Sequence, residues 1–229
     1  MRTHERVLAR IEADLTAGRL ALGDRLPGER VLAEQLGVSR PSVREAVRVL
    51  EAMGVVRTAT GSGPDAGAVL IADAATGLGA ALRLHVATSG LPVRDVVELR
   101  LLVEGWGMRM AAASGDAAAL DRAAALLDAM DAPGLEPDRF LELDAAFHEA
   151  LVGTAGNVLV TAVMTGVRGA VLAYVRAGAR TVADWDAMAA RLRTEHREIL
   201  GAVQEGRADE AERAVRAHIE GYYRDAGVH

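Results

Sequence analysis

The chain has 229 residues, with 26 basic and 32 acidic side chains and a formal net charge of −6, and every basic residue apart from histidine is an arginine. It contains no cysteine, which excludes disulfides and thiolate metal sites. The charged, periodic N-terminus argues against a signal peptide, and no run of 18 apolar residues predicts a membrane span, so we expect a cytoplasmic protein.

The charge is divided unevenly along the chain. Residues 1–72 carry ten arginines and nine acidic residues, whereas residues 73–229 carry 16 arginines and 23 acidic residues. Six of the first ten arginines fall between positions 25 and 57. The acidic balance therefore belongs to the second part of the chain, which whole-chain charge conceals.

Apolar residues at helical spacing predict three helices in the first part. The first covers about residues 3–17, the second residues 29–36, and the third runs from a Ser39 cap to about Met53. A glycine follows each helix, at positions 18, 37 and 54. Gly37 is expected to adopt the left-handed backbone that allows a tight turn between the second and third helices.

The periodicity changes after position 54. Residues 55–60 and 68–71 predict two strands joined by a glycine-rich loop, so the first part is typical of a winged helix-turn-helix over residues 1–72. Residues 73–79 predict a linker. From residue 80 to 229, turn signals separate six or seven helices without a strand pattern, so we expect a mainly α protein of two domains.

The third helix carries Arg40, Arg44 and Arg48, one turn apart and opposite its apolar stripe. In a helix-turn-helix this face enters the major groove, where arginine donates two hydrogen bonds to guanine. Ser39 and Ser42 can donate to phosphates at the helix N-terminus. A solvated helix face is the alternative interpretation. The tight turn, the serine cap and the following hairpin together favour DNA binding.

The segment LPGERVLAEQLGVSRPSVREAVRVLEAMGVV, residues 26–56, resembles the DNA-binding domain of the GntR family of bacterial transcription regulators. The residues that this resemblance assigns to operator contacts are Arg30, Arg40 and Arg44, with Gly61 and Gly63 in the wing. The wing departs from the family pattern, because it offers small residues and one acid in place of basic or aromatic side chains. We therefore expect it to contact DNA through its backbone.

Four residues of the second part have the spacing of a metal site. Asp144 and His148 lie four apart, on one face of a predicted helix. His196 and His218 lie at similar distances before and after a predicted turn, so they would reach the same level of an antiparallel helix pair. A lone histidine is more often structural, but this matched set favours a divalent metal. We expect zinc, with nickel and manganese as alternatives.

Residues 80–225 resemble the all-helical C-terminal sensor domain, called FCD, of the FadR branch of GntR regulators. Its metal-binding members use an Asp-x-x-x-His pair and two later histidines, which correspond to the four residues above. Arg100 and Glu104 alone indicate only a local ion pair. The resemblance implies that Arg100 faces an effector cavity, so we expect Arg100 and Glu104 to form the effector site.

The resemblance implies a transcription regulator that binds a palindromic double-stranded DNA operator as a homodimer, with affinity controlled by a small organic acid. We expect a repressor, with no membrane partner and no enzymatic activity. Two alternatives stay open. The first is a metalloenzyme with an appended DNA-binding module, although Glu149 and Glu195 would point away from the metal as neighbours of its ligands. The second is a regulator whose metal is purely structural.

Overall fold

The computed structural model describes residues 3–59, 67–89 and 92–227, and the chain divides into two compact units, residues 1–80 and 81–229. The described part contains ten helices and two strands, which confirms a mainly α fold. The first unit contains α1 (Thr3–Thr16), α2 (Glu29–Leu36), α3 (Arg40–Ala52), β1 (Val56–Ala59) and β2 (Gly67–Leu70). The helices that follow are α4 (Ala74–Ser89), α5 (Val93–Ser114), α6 (Ala117–Met130), α7 (Pro137–Gly153), α8 (Val158–Ala179), α9 (Trp185–Gln204) and α10 (Ala208–Asp225).

The turn between α2 and α3 follows the sequence-based prediction. Gly37 has φ 59° and ψ 41°, and its N–H donates to carbonyl oxygens in the last turn of α2. The Ser39 side chain accepts a hydrogen bond from the Ser42 N–H at 3.3 Å and so caps α3. Val43 and Ala46 are fully buried. The opposite face of α3 is therefore exposed to solvent.

The two strands form an antiparallel hairpin in which Val56 pairs with Leu70 and Ala59 with Gly67. The side chains of Val56 and Leu70 are buried in the core of the first unit. This confirms the predicted hairpin after the third helix. The wing residues Gly61 and Gly63 lie outside the described residues, so their contact with DNA stays a prediction.

The predicted linker, residues 73–79, is helical from Ala74 onward, where α4 begins. A Cβ on Gly77 would lie 1.9 Å from the Met53 carbonyl oxygen, and one on Gly54 would lie 2.2 Å from the Asp73 carbonyl oxygen. These glycines permit close backbone approach within the first unit, which no side chain would allow. The sequence analysis predicted a linker over residues 73–79, whereas Gly77 lies within α4.

The second unit packs its helices around an apolar core that includes Phe140 and Phe147. α10 packs on α5 and α9, and α7 packs on α6, α8 and α5. α8 is long and apolar enough, by length and composition, to cross a membrane. Of its apolar window 39 % is buried, with Val167 and Val171 in the core of this unit, and a single helix of this kind is weak evidence for a membrane span.

Candidate functional site

The four predicted metal ligands meet inside the second unit. Asp144 and His148 lie on α7, His196 on α9 and His218 on α10, and each is at most 7 % exposed. One ligand atom from each residue lies within 4.8 Å of the other three. The helical spacing and the α9–α10 hairpin therefore bring together the residues that the sequence analysis selected.

The imidazoles converge on a single carboxylate oxygen. Asp144 Oδ1 lies 2.9 Å from His196 Nε2 and 3.9 Å from Nε2 of both His148 and His218. Within the described residues, the buried ring nitrogens of His148 and His196 make no hydrogen bond of acceptable geometry. Buried polar atoms normally have partners. A divalent ion between these atoms would give the convergent nitrogens one, so the donor set fits a metal.

Two further carboxylates orient the imidazoles from behind. Glu104 Oε2 lies 2.8 Å from His148 Nδ1, and Glu195 Oε2 is hydrogen-bonded to His218 Nδ1 at 2.8 Å. Each contact leaves Nε2 of its ring directed toward Asp144. A hydrogen-bonded outer carboxylate fixes the tautomer and orientation of a ligating histidine, as Glu195 does for His218. Glu104 lies close to His148 Nδ1 without hydrogen-bond geometry. The sequence analysis did not predict this role for Glu195, since the contact joins two different helices.

The electrostatics of the cluster favour the protonation states that bind metals. Burial, helped by the neighbouring His218, lowers the pKa of His196 to about 4, and burial also lowers the pKa of His218. Burial by itself would raise the pKa of Asp144, but the close contact with His196 and the two other imidazoles outweigh it and hold that pKa below its ordinary value. Neutral His196 and His218 facing an ionised Asp144 favour metal binding.

Arg100 and Glu104 form a buried ion pair next to this cluster. Arg100 Nε lies 2.6 Å from Glu104 Oε1, and both residues are at most 4 % exposed. The Arg100 Nη1 donates to the Tyr223 hydroxyl at 3.5 Å. Because Glu104 also approaches His148, the predicted effector residues and the predicted metal ligands form one continuous polar network.

A small cavity of about 20 Å³ borders this network. Its polar lining consists of Arg100, Glu104 and His148 together with a second ion pair, Glu149 and Arg168, in which Arg168 Nη1 lies 2.8 Å from Glu149 Oε2. The volume corresponds to about one water molecule. Metal ligands, a buried arginine and a cavity therefore occur at one place in the second unit.

The arginines of α3 are exposed on the face away from the core of the first unit. Arg40, Arg44 and Arg48 all lie on this face, as predicted. Arg44 is held by Glu29 at the start of α2, with Nε 3.1 Å from Oε1 and Nη2 2.9 Å from Oε2. The hydrogen bond from Arg44 is also the main reason why the pKa of Glu29 lies below its ordinary value. The sequence analysis did not single out Glu29.

Arg30 projects from α2 and is also exposed. Its Nη1 lies 2.9 Å from Glu34 Oε1, one turn further along the same helix. Both side chains are more than 60 % exposed, so this ion pair is weak and leaves Arg30 able to change partner.

Comparison with known proteins bears on both units. Residues 3–64 match the family model for bacterial regulatory proteins of the gntR family, and residues 95–221 match the FCD domain. The HTH-type transcriptional regulator LutR of Bacillus subtilis is 32 % identical over 206 residues, covering 88 % of this chain and 91 % of LutR. The putative L-lactate dehydrogenase operon regulatory protein of Escherichia coli is 27 % identical over 221 residues, covering 95 % and 84 %.

The fold has a similar counterpart among solved structures. A Streptococcus agalactiae GntR protein superimposes with a TM-score of 0.63 at 24 % identity, covering 96 % of this chain and 99 % of that protein. A winged helix-turn-helix followed by a helical ligand-binding domain defines a transcription regulator rather than an enzyme. The chain belongs to the GntR family and carries an FCD domain. Regulators of this family bind DNA operators and small-molecule effectors.

Proposed function

We propose that the chain is a repressor that binds a palindromic operator as a homodimer, and that a small organic acid bound beside a divalent metal in the FCD domain changes its DNA affinity. The observation that carries the proposal is the buried cluster of Asp144, His148, His196 and His218, which adjoins Arg100. The metal would be zinc, with nickel or manganese as alternatives for these nitrogen and oxygen donors.

The effector would be held from two sides. A divalent metal supplies a Lewis-acid position for one carboxylate oxygen. Arg100, whose guanidinium is buried and pre-oriented by Glu104, supplies hydrogen bonds to the other. The name of the E. coli relative, which refers to an L-lactate dehydrogenase operon, supports an acid of a few carbon atoms.

The size of the cavity explains how such an acid would act on the protein. A volume of about 20 Å³ holds one water molecule and is too small for a carboxylic acid. Binding would therefore require the side chains or helices that line the cavity, on α5, α7 and α8, to move apart. An effector that binds only the enlarged form has different affinities for the two conformations, which is the condition for shifting their populations.

The DNA-binding surface would be the exposed face of α3 with the adjacent start of α2. The residues proposed to contact the operator are Arg30, Ser39, Arg40, Ser42 and Arg44, with the wing glycines Gly61 and Gly63. The arginines would read guanine or phosphate, and the serines would bind phosphate at the start of α3. Each protomer of a dimer would read one half of a palindrome.

Selection of fragmented source-genome DNA by the zinc-loaded chain tests the proposal. Near-physiological salt is required, because the phosphate contribution to affinity depends strongly on salt. We expect enrichment of a short palindrome and release of that DNA when the effector acid is added. Enrichment of no sequence, with and without zinc and candidate acids, would contradict operator binding.

A regulator with a purely structural metal is the second candidate, and the small cavity is the observation that favours it. In that case zinc would stabilise the FCD domain, while no acid would change the affinity for the selected palindrome. Fluorescence anisotropy of the labelled palindrome, titrated with acids at constant zinc, distinguishes the two candidates.

A further inference from the structure

One carboxylate oxygen at the cavity has no hydrogen-bond partner. Glu149 follows the ligand His148 on α7 and lines the cavity beside it. Its Oε2 accepts a hydrogen bond from Arg168 Nη1 at 2.8 Å. Its Oε1 is buried and, within the described residues, accepts no hydrogen bond. A buried acceptor without a donor is unusual in a folded protein and calls for an explanation.

Two ion pairs line the cavity, and their carboxylates differ in how many further hydrogen bonds they can accept. Glu104 has both oxygens engaged, one by Arg100 and the other by Arg100 and His148. Glu149 has one oxygen engaged and one open. The other lining residues are apolar: Ala145, Met164 and Val171. Among the described lining residues, Glu149 Oε1 is therefore the carboxylate oxygen that still lacks a donor.

Building on the proposed function, we infer that Glu149 determines effector specificity by accepting, at Oε1, a hydrogen bond from a hydroxyl group of the bound acid. The carboxylate of that acid would bind the metal and Arg100. A hydroxy acid carries the required donor. A plain carboxylic acid or a keto acid carries none.

The charges around the cavity favour a hydroxyl over an ammonium group as the donor. Arg168 already balances the charge of Glu149, and Arg100 balances that of Glu104. Each of these ion pairs is neutral overall. An ammonium group in the cavity would therefore lose its hydration without gaining an unpaired negative charge as a partner. A hydroxyl group is neutral and needs only the open acceptor. Arg168 acts as a positioning residue that fixes Oε2 and leaves Oε1 open.

A second ion pair between the same two helices provides a matched control. Glu142 on α7 lies 2.9 Å from Arg176 on α8, as Glu149 lies 2.8 Å from Arg168. Glu142 does not line the cavity. If the Glu149 pair only tied α7 to α8, replacing either glutamate would have the same effect on ligand binding.

The test is isothermal titration calorimetry on the zinc-loaded full chain with two matched pairs of acids, propanoate with 2-hydroxypropanoate and butanedioate with 2-hydroxybutanedioate. A hydrogen bond to a charged acceptor corresponds to about tenfold in affinity, so in at least one pair the hydroxy acid should bind about tenfold more tightly than its parent. Glu149→Ala should reduce this ratio to below about twofold while leaving the zinc content unchanged. Glu142→Ala should retain the ratio.

A conservative variant separates hydrogen bonding from a change in cavity shape. Glu149→Gln keeps an acceptor oxygen and should retain a preference of several-fold for the hydroxy acid. A full preference persisting in Glu149→Ala would show that the metal, not Glu149, reads the hydroxyl, and would overturn the inference. Equal binding within both pairs, or tighter binding of 2-aminopropanoate than of 2-hydroxypropanoate, would overturn it as well. Binding of none of these acids would instead contradict the proposed function itself.

Discussion

Removing a divalent metal from the proposed site should destabilise the second unit, which we call the helical unit, by a measurable amount. The four candidate ligands come from three helices and are buried, so the folded state holds a preformed site that the unfolded chain lacks. Binding to the folded state alone adds about 2.7 kcal/mol at a free zinc concentration of one hundred times Kd and about 4.1 kcal/mol at one thousand times Kd.

The expected change in melting temperature follows from these energies. The helical unit, residues 81–229, has about 150 residues and an unfolding entropy of about 0.3 kcal/mol/K. Zinc at these concentrations should therefore raise its Tm by roughly 9–13 °C over the chelator-treated protein. Differential scanning calorimetry measures this directly, because it resolves separate transitions for the two units where they unfold independently.

Two substitutions make the experiment specific. Asp144→Asn keeps the shape of the residue and removes the anionic ligand, so the zinc-dependent rise in Tm should fall to below about 3 °C. His85→Ala removes an exposed histidine of α4 and should leave the rise unchanged. A wild-type rise of less than about 1 °C, or an equal rise in Asp144→Asn, would refute the reasoning that these four residues hold the ion.

Three further predictions concern the first unit and its packing. Arg44→Ala should weaken operator binding by about 1–3 kcal/mol, measured by anisotropy, and unchanged affinity would contradict its place in the recognition surface. Glu29→Gln should raise the affinity for non-specific DNA and lower the discrimination between operator and non-specific DNA, because it frees Arg44 from its fixed orientation and removes a negative charge. Glu45→Gln removes the same charge without changing the Arg44–Glu29 pair, so this discrimination should stay near that of the wild type. Gly77→Ala should lower the unfolding free energy of the first unit by about 1–3 kcal/mol, because its methyl group would meet a backbone carbonyl. Gly169→Ala, in open space on α8, should be neutral or stabilising by up to about 1 kcal/mol. Equal effects of the two substitutions in urea denaturation would contradict the close approach at Gly77.

Local sequence signals were sufficient for most of the helices and for grouping the four candidate metal ligands. Gly37 and Ser39 predicted the turn and the cap because both act through their own backbone neighbourhood. Asp144 and His148 share a face by helical spacing alone. His196 and His218 could be aligned because the turn between their helices fixes the level of each residue.

Contacts between distant elements could not be predicted in the same way. Glu195 reaches His218 across two helices, and Glu29 reaches Arg44 across the helix-turn-helix. Their sequence positions carry no period that distinguishes them from other surface glutamates. Gly77 illustrates a different difficulty. A glycine in a sequence usually indicates the end of a helix, but Gly77 lies inside α4, where it allows close packing against a neighbouring backbone. In each case the missing information is which elements pack together.

Glu104 contacts both Arg100 and the candidate metal ligand His148, and a double-mutant cycle would measure how strongly it interacts with Arg100. Burial alone would raise the pKa of Glu104, but Arg100 and His148 outweigh burial and lower this pKa to about 2. The Glu104 carboxylate is therefore ionised in the folded protein at neutral pH. Because this pKa lies below the ordinary 4.5, the stabilisation is complete above pH 4.5 and is lost as the pH falls toward 2. Measurements at pH 7 therefore report the intact pair.

Removing one member of this pair leaves the other as an uncompensated buried charge. Glu104→Gln and Arg100→Met should each lower the unfolding free energy of the metal-free helical unit by about 3–5 kcal/mol. The double variant leaves no buried charge at this place, so its loss should be smaller than the sum of the single losses by at least about 2 kcal/mol. Additive losses in chemical denaturation would show that the two residues do not interact. The short Arg100–Glu104 contact would then contribute nothing to stability, and Glu104 would serve only to orient His148.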